Sequence, residues 1–179
     1  SGGVTISHLR FGHTPIRSTY LISQANFVAC HCTAYIYKYN MVQDLVPGGT
    51  FLFNTQWSVD ELDEKLPGQV KRYIAENNIN FVKIGKEIGL GNRINTVLQS
   101  AFFSLTKLIP EEKVIKLMKD AATASYAKKG DDVVKMNHDA IDAGATAYIK
   151  VDVPESWKNC PDDDLTEKVG EGRPEVIDF

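Results

Sequence analysis

Apolar residues recur along this chain at two spacings, every second position in some stretches and every third or fourth in others, and the changeovers mark the predicted elements. Residues 4–11 alternate as Val4-Thr5-Ile6-Ser7-His8-Leu9, which predicts a strand, and Gly12-His13-Thr14-Pro15 supplies turn residues behind it. Phe27-Val28-Ala29-Cys30 and Thr50-Phe51-Leu52-Phe53 are short unbroken apolar runs of the kind found in strands covered on both faces. Residues 34–39 between them are read as helical, and Asp44-Leu45-Val46-Pro47-Gly48-Gly49 leads into the second run.

Helical spacing dominates from there on. Ser58-Val59-Asp60-Glu61 is a capping box, in which the serine hydroxyl takes the amide of Glu61 and that carboxylate reaches back to the amide of Ser58. Pro67 opens another helix with Val70, Tyr73 and Ile74 on one side, and Asn77-Asn78 ends it ahead of the strand Asn80-Phe81-Val82-Lys83-Ile84. Ile94, Val97, Leu98, Ala101, Phe102 and Leu105 form a broad apolar stripe that places a helix against a sheet. Pro110-Glu111-Glu112 opens the next, with acidic side chains opposing the helix dipole, and Gly130 stops it. A third helix is predicted over 131–148.

Strands alternating with helices in this order predict an α/β fold, a mostly parallel sheet joined by right-handed crossovers and covered by helices. Beyond Pro154 the chain holds Asp162-Asp163-Asp164, Gly170, Gly172 and Pro174 with few large apolar residues, too little to support a core of its own. The expected organisation is therefore a domain over 1–153 and an interdomain linker over 154–179. Ser1-Gly2-Gly3 runs straight into the first alternation without a starting methionine, which reads as a chain that begins inside a domain.

Composition narrows the classes. With 179 residues, 43% of them hydrophobic, the chain can bury one sizeable core. Twenty Lys and Arg against 23 Asp and Glu leave a net charge of -3 with no basic block to track a phosphate backbone, which argues against a nucleic-acid partner. No apolar run approaches the roughly 20 residues of a membrane helix, and no signal peptide opens the chain, so no membrane partner is expected and the expected location is cytoplasmic. The three cysteines are an odd number in a chain of this size and are expected to be reduced.

Gly89-Leu90-Gly91-Asn92-Arg93-Ile94-Asn95 has two readings. Its glycines allow close backbone approach at a helix N-terminus, and Arg93 is a forked donor suited to phosphate. Alternatively the glycines only turn the chain, Asn92 caps the helix and Arg93 is solvated. Cys30-His31-Cys32 offers three metal ligands without a partner pair and is read as a packed core pair. Asn137 is read as a solvated residue on the polar side of its helix, and Lys128-Lys129-Gly130-Asp131-Asp132 as one helix end meeting the next. His8, His13 and His138 stand in no spacing relation to a nucleophile and are left without a role.

Several blocks together resemble one family: Ser-Gly-Gly-Val-Thr-Ile-Ser-His-Leu-Arg-Phe-Gly at 1–12, Ser-Thr-Tyr-Leu-Ile-Ser-Gln-Ala-Asn-Phe-Val-Ala-Cys-His at 18–31, and Pro-Gly-Gly-Thr-Phe-Leu-Phe-Asn at 47–54. Gly91-Asn92-Arg93-Ile94-Asn95-Thr96, Gln99-Ser100-Ala101-Phe102-Phe103, Tyr126-Ala127-Lys128-Lys129-Gly130 and Val133-Val134-Lys135-Met136-Asn137 continue it in the same order. The match, over residues 1–158, is to pyruvate:ferredoxin (flavodoxin) oxidoreductase. The resemblance implies the gamma-type domain of that multidomain enzyme, a three-layer α/β/α structure that helps form the coenzyme A site and is not catalytic alone. It also implies that this chain lacks the domain's first strand and helix, with the lysine they carry. By position Asn95 and Asn137 match the family's coenzyme A-contacting asparagines, and Arg93 is the third candidate. Amide side chains suit that role because each can donate to phosphate or pair with a pantetheine amide.

The implied reaction is oxidative decarboxylation of pyruvate, with thiamine diphosphate, Mg2+ and 4Fe-4S clusters in other parts of the parent and ferredoxin or flavodoxin as electron acceptor. The implied partners are the parent's other domains. Loss of a first strand and helix would bare a sheet edge, so self-association is expected too. Two alternatives stay open: a related 2-oxo acid oxidoreductase, since substrate choice belongs to the thiamine domains, and a structural spacer in which Asn95 and Asn137 only cap and solvate.

Overall fold

The computed structural model describes residues 5–12, 14–17, 21–85 and 94–165. The unbroken apolar runs become the parallel strands β1 (Ala25–Cys30), β2 (Leu45–Asn54) and β3 (Asn80–Ile84). Phe51 lies beside Phe81 and Leu52 beside Val82, so alternate side chains of β2 and β3 reach opposite faces of the sheet. β2 starts five residues earlier than its apolar run. Its pairing with β1 jumps from Ala25 opposite Leu45 to Phe27 opposite Thr50, which accommodates Pro47-Gly48-Gly49 with Gly48 at φ +76°.

One face carries the short helix α1 (Tyr35–Lys38), then α2 (Val59–Lys65) and α3 (Gly68–Glu76). Their Ile36, Leu62, Leu66, Val70 and Ile74 pack on Phe51, Phe53 and Phe81. The capping box opens α2 with both its bonds, Glu61 N to Ser58 Oγ at 3.1 Å and Ser58 N to Glu61 Oε2 at 2.8 Å. The other face carries α4 (Ile94–Thr106), α5 (Glu111–Tyr126) and α6 (Asp131–Thr146). There Val97, Leu98 and Ala101 of α4 and Ala140 of α6 cover Leu52, Val82 and Ile84. The result is the expected three-layer α/β/α arrangement with a mostly parallel sheet.

Three expectations need correction. Residues 5–12 do not join the sheet: Ile6 and Leu9 are 69% and 71% exposed, because alternation suits any extended chain and only a ladder partner makes it a strand. The segment is held at His8, whose Nδ1 accepts from the Ile22 amide at 3.3 Å, and at Phe11, whose ring lies 5.8 Å from that of Phe102. The last helix stops at Thr146, and the chain then adds a two-residue antiparallel edge strand, β4 (Ile149–Lys150), beside β3. Finally, residues 154–165 have no core of their own, as their composition requires, but they lie on α3 with Trp157 buried. The packing of the domain therefore runs past residue 153. Residues 166–179, the rest of the stretch expected to link domains, lie outside the described residues.

Candidate functional site

α4 and α6 approach closely because small residues line their contact. A Cβ on Gly144 would run into the Val97 carbonyl oxygen. Ser100 Oγ donates to the Ile141 carbonyl at 2.5 Å and Ser104 Oγ to that of Ala145 at 3.1 Å, so buried hydroxyls tie one helix to the backbone of the other. α5 packs alongside both, bridged to α6 by Lys119–Asp142 at 2.7 Å and by His138 Nε2, which lies 2.9 Å from Thr123 Oγ1 and 3.1 Å from the Lys119 carbonyl. His138 is thus a helix-to-helix contact.

A groove of about 350 Å³ remains where the three helices meet, walled by Thr96, Gln99 and Phe103 of α4, Leu117 and Tyr126 of α5, and Asn137 of α6. Asn137 is 3% exposed, and its Nδ2 donates to the Val133 carbonyl at 2.8 Å. It is not on the polar side of its helix. Position 137 stands four residues from both Val133 and Ile141, one turn apart on the same face, and that spacing was the signal for its burial. A mostly apolar wall with a few fixed polar groups is the usual character of a small-molecule site.

Asn95 sits in the first turn of α4 and is exposed, next to Thr96 of the groove wall. The structure brings Asn137 into the groove and leaves Asn95 outside its lining. Arg93, with the rest of the stretch from Gly89 to Asn92, lies outside the described residues, as does His13. Cys30 and Cys32 do not form a packed pair. β1 ends at Cys30, which is fully buried, whereas Cys32 is half-buried beyond the strand and its carbonyl accepts from Cys30 Sγ at 3.2 Å. Burial pushes the Cys30 thiol from its ordinary 9.0 up to about 12. Among the described residues no group of three or more His, Cys, Asp or Glu is placed to hold a metal ion, and no helix is long and apolar enough to cross a membrane.

The pyruvate ferredoxin/flavodoxin oxidoreductase family matches residues 1–147 of the chain. Pyruvate-flavodoxin oxidoreductase of Enterobacter agglomerans is 48% identical over 167 residues, covering 90% of this chain and 14% of that protein. Pyruvate:ferredoxin oxidoreductase of Moorella thermoacetica is 47% identical over 168 residues, 91% of this chain and 14% of that protein. Pyruvate dehydrogenase (NADP+) of Cryptosporidium parvum is 40% identical over 162 residues, 87% of this chain and 8% of that protein. The chain therefore spans a small part of the length of each of these relatives.

Proposed function

The chain belongs to the pyruvate ferredoxin/flavodoxin oxidoreductase family, and we propose that it is one domain of an enzyme that converts pyruvate and coenzyme A into acetyl-CoA, carbon dioxide, a proton and an electron pair for ferredoxin or flavodoxin. On this reading the domain does no chemistry alone. It contributes to coenzyme A binding through the groove between α4, α5 and α6, with Asn137 in its wall, Asn95 in the first turn of α4 and Arg93 two residues before it in sequence. Thiamine diphosphate, Mg2+ and the 4Fe-4S clusters belong to other domains of the parent, as do the contacts with ferredoxin or flavodoxin. The cytoplasm is the proposed location.

The observation that carries the reading is the position of Asn137, a buried amide fixed in the wall of a mostly apolar groove that also holds Thr96, Gln99 and Tyr126. The pantetheine arm of coenzyme A is itself a chain of amides separated by short apolar segments, so a groove of this character suits it. One observation favours the spacer reading instead: the Asn137 amide already serves the Val133 carbonyl of its own helix.

Pyruvate-dependent dye reduction by the intact enzyme, titrated with coenzyme A, separates the two. Replacing Asn137 by Ala should raise the apparent KM for coenzyme A about tenfold, the loss of roughly one hydrogen bond, with the pyruvate KM unchanged. Both constants unchanged would favour the spacer. We also propose that the 179-residue chain by itself self-associates. β1 is an edge strand, and Ile6, Leu9 and Leu21 nearby in sequence are each at least 69% exposed. A monomer by light scattering at high concentration would remove that proposal.

A further inference from the structure

We propose that residues 154–165 form a latch that closes over the N-terminal end and outer side of α3 and opens as one unit. α3 begins at Pro67-Gly68 without a cap from its own flank, since Pro67 provides no side-chain hydrogen bond. The cap comes from 95 residues away: the Gly68 amide donates to Asp163 Oδ2 at 3.1 Å. Gln69 reads the backbone of the same residue twice, its Oε1 accepting from the Asp163 amide at 3.0 Å and its Nε2 donating to the Asp163 carbonyl at 3.4 Å. Arg72, one turn further along α3, donates to the Cys160 carbonyl at 2.7 Å and pairs with Asp162.

The crossing depends on one glycine. A Cβ on Gly68 would run into the Pro161 carbonyl oxygen, so the segment can lie this close to α3 only while position 68 has no side chain. The pin is Trp157, 2% exposed, whose Nε1 donates to Asp63 Oδ1 at 2.6 Å and whose ring lies 6.3 Å from that of Phe81.

Trp157 belongs to the core cluster, and the rest of the segment does not. It is the sole buried residue of 154–165, and the flanking residues are exposed or half-buried. None of them enters the sheet. A segment fixed by one buried aromatic side chain, by partly buried Cys160 and by hydrogen bonds at a partly exposed surface opens far more readily than the sheet beneath it. Closed, it covers the Gly68 amide with Asp163 and pairs Arg72 with Asp162; open, it presents both to solvent.

Hydrogen exchange in the intact protein, followed on peptides covering 154–165 and 45–54, tests this. The latch peptide should exchange at least about a hundredfold faster than β2. Gly68→Ala should speed latch exchange about tenfold further while β2 is unchanged, and Asp163→Ala, which introduces no clash, should do the same to a smaller degree. Exchange of both peptides at one common rate in the unaltered protein, or equal acceleration of both in the Asp163 variant, would show that the segment opens only with the domain and would overturn the latch.

Discussion

On one face of the sheet Phe51 stacks between Phe53 and Phe81, with ring centroids 5.8 and 5.6 Å apart, and the helices above carry leucine, isoleucine and valine down onto them. On the other face Leu52, Val82 and Ile84 are covered by Val97, Leu98 and Ala101 of α4 and Ala140 of α6, and Gly144 lets α6 lie close against α4. Large side chains let the first face close over its aromatics; small ones bring the backbones of α4 and α6 together but leave the groove beside α5. Ser100, Ser104 and Asn137, three of the five buried polar residues among those described, belong to α4 and α6. Burying polar groups costs stability unless each finds a partner, and these three find theirs in the carbonyls of Ile141, Ala145 and Val133. The contrast separates a face closed by packing from a face that is packed against the sheet but leaves a groove beside α5.

Substitutions that treat the two faces differently test this division. Phe51→Ala should cost the most, about 3–5 kcal/mol in urea unfolding, because it removes the central ring of the aromatic stack from a site with no exposure. Gly144→Ala should cost about 1–3 kcal/mol, since the new methyl must push α4 away from α6. It should also alter the coenzyme A dependence of the intact enzyme. If Gly144→Ala lowers stability and leaves that dependence untouched, the α4–α6 contact is a core like the other and the groove does not hold the ligand.

The buried thiol of Cys30 adds a break at alkaline pH. Its pKa is raised by burial from 9.0 to about 12, so the folded state keeps a proton that the unfolded state loses. The resulting stability is complete below pH 9 and falls away as pH rises toward 12. Cys30→Ala should flatten that alkaline decline, measured as urea midpoints across the range. Thiol reagents at pH 8 should modify half-buried Cys32 and Cys160 well before Cys30.

Where a local rule decides the outcome, the elements could be read from the residues alone. The Ser58–Glu61 box, Pro67 and Pro110 at helix starts and Gly130 at a helix end each act within a few residues, and the helices over 59–146 follow them. What escaped depends on partners distant in the chain. Residues 5–12 alternate like a strand but have no ladder to join, and the two residues of β4 pair because β3 offers an edge. Trp157 is one aromatic in a polar run, and its slot is made by residues 63 and 81. For the site, the block resemblance singled out Asn137, while its burial was missed although 133, 137 and 141 share a helical face. The lining of the groove by α5 could not be foreseen, because helix-on-helix placement leaves no local mark in a sequence.

The smallest effect expected lies on the closed face, at the start of α2. Ser58→Ala removes the hydroxyl that accepts from the Glu61 amide and should cost about 1 kcal/mol. The other half of the box is sensitive to pH. The Lys65 ammonium, 2.6 Å away, and then the Ser58 amide hold the Glu61 carboxyl below its ordinary 4.5. A depressed folded-state pKa means that the carboxylate stabilises the protein at neutral pH and that this contribution is lost as pH falls below 4.5 through the lowered value. The pair lies at the surface, with both side chains partly exposed, so the contribution is small and salt weakens it. Glu61→Gln should therefore differ from the unaltered protein at neutral pH and low salt, and the two unfolding curves should converge as the solution is acidified. Neither substitution should move the coenzyme A dependence of the intact enzyme, because α2 lies across the sheet from the groove. A change in that dependence with Ser58→Ala would mean that the two faces are coupled through the sheet, and the division between them would fail.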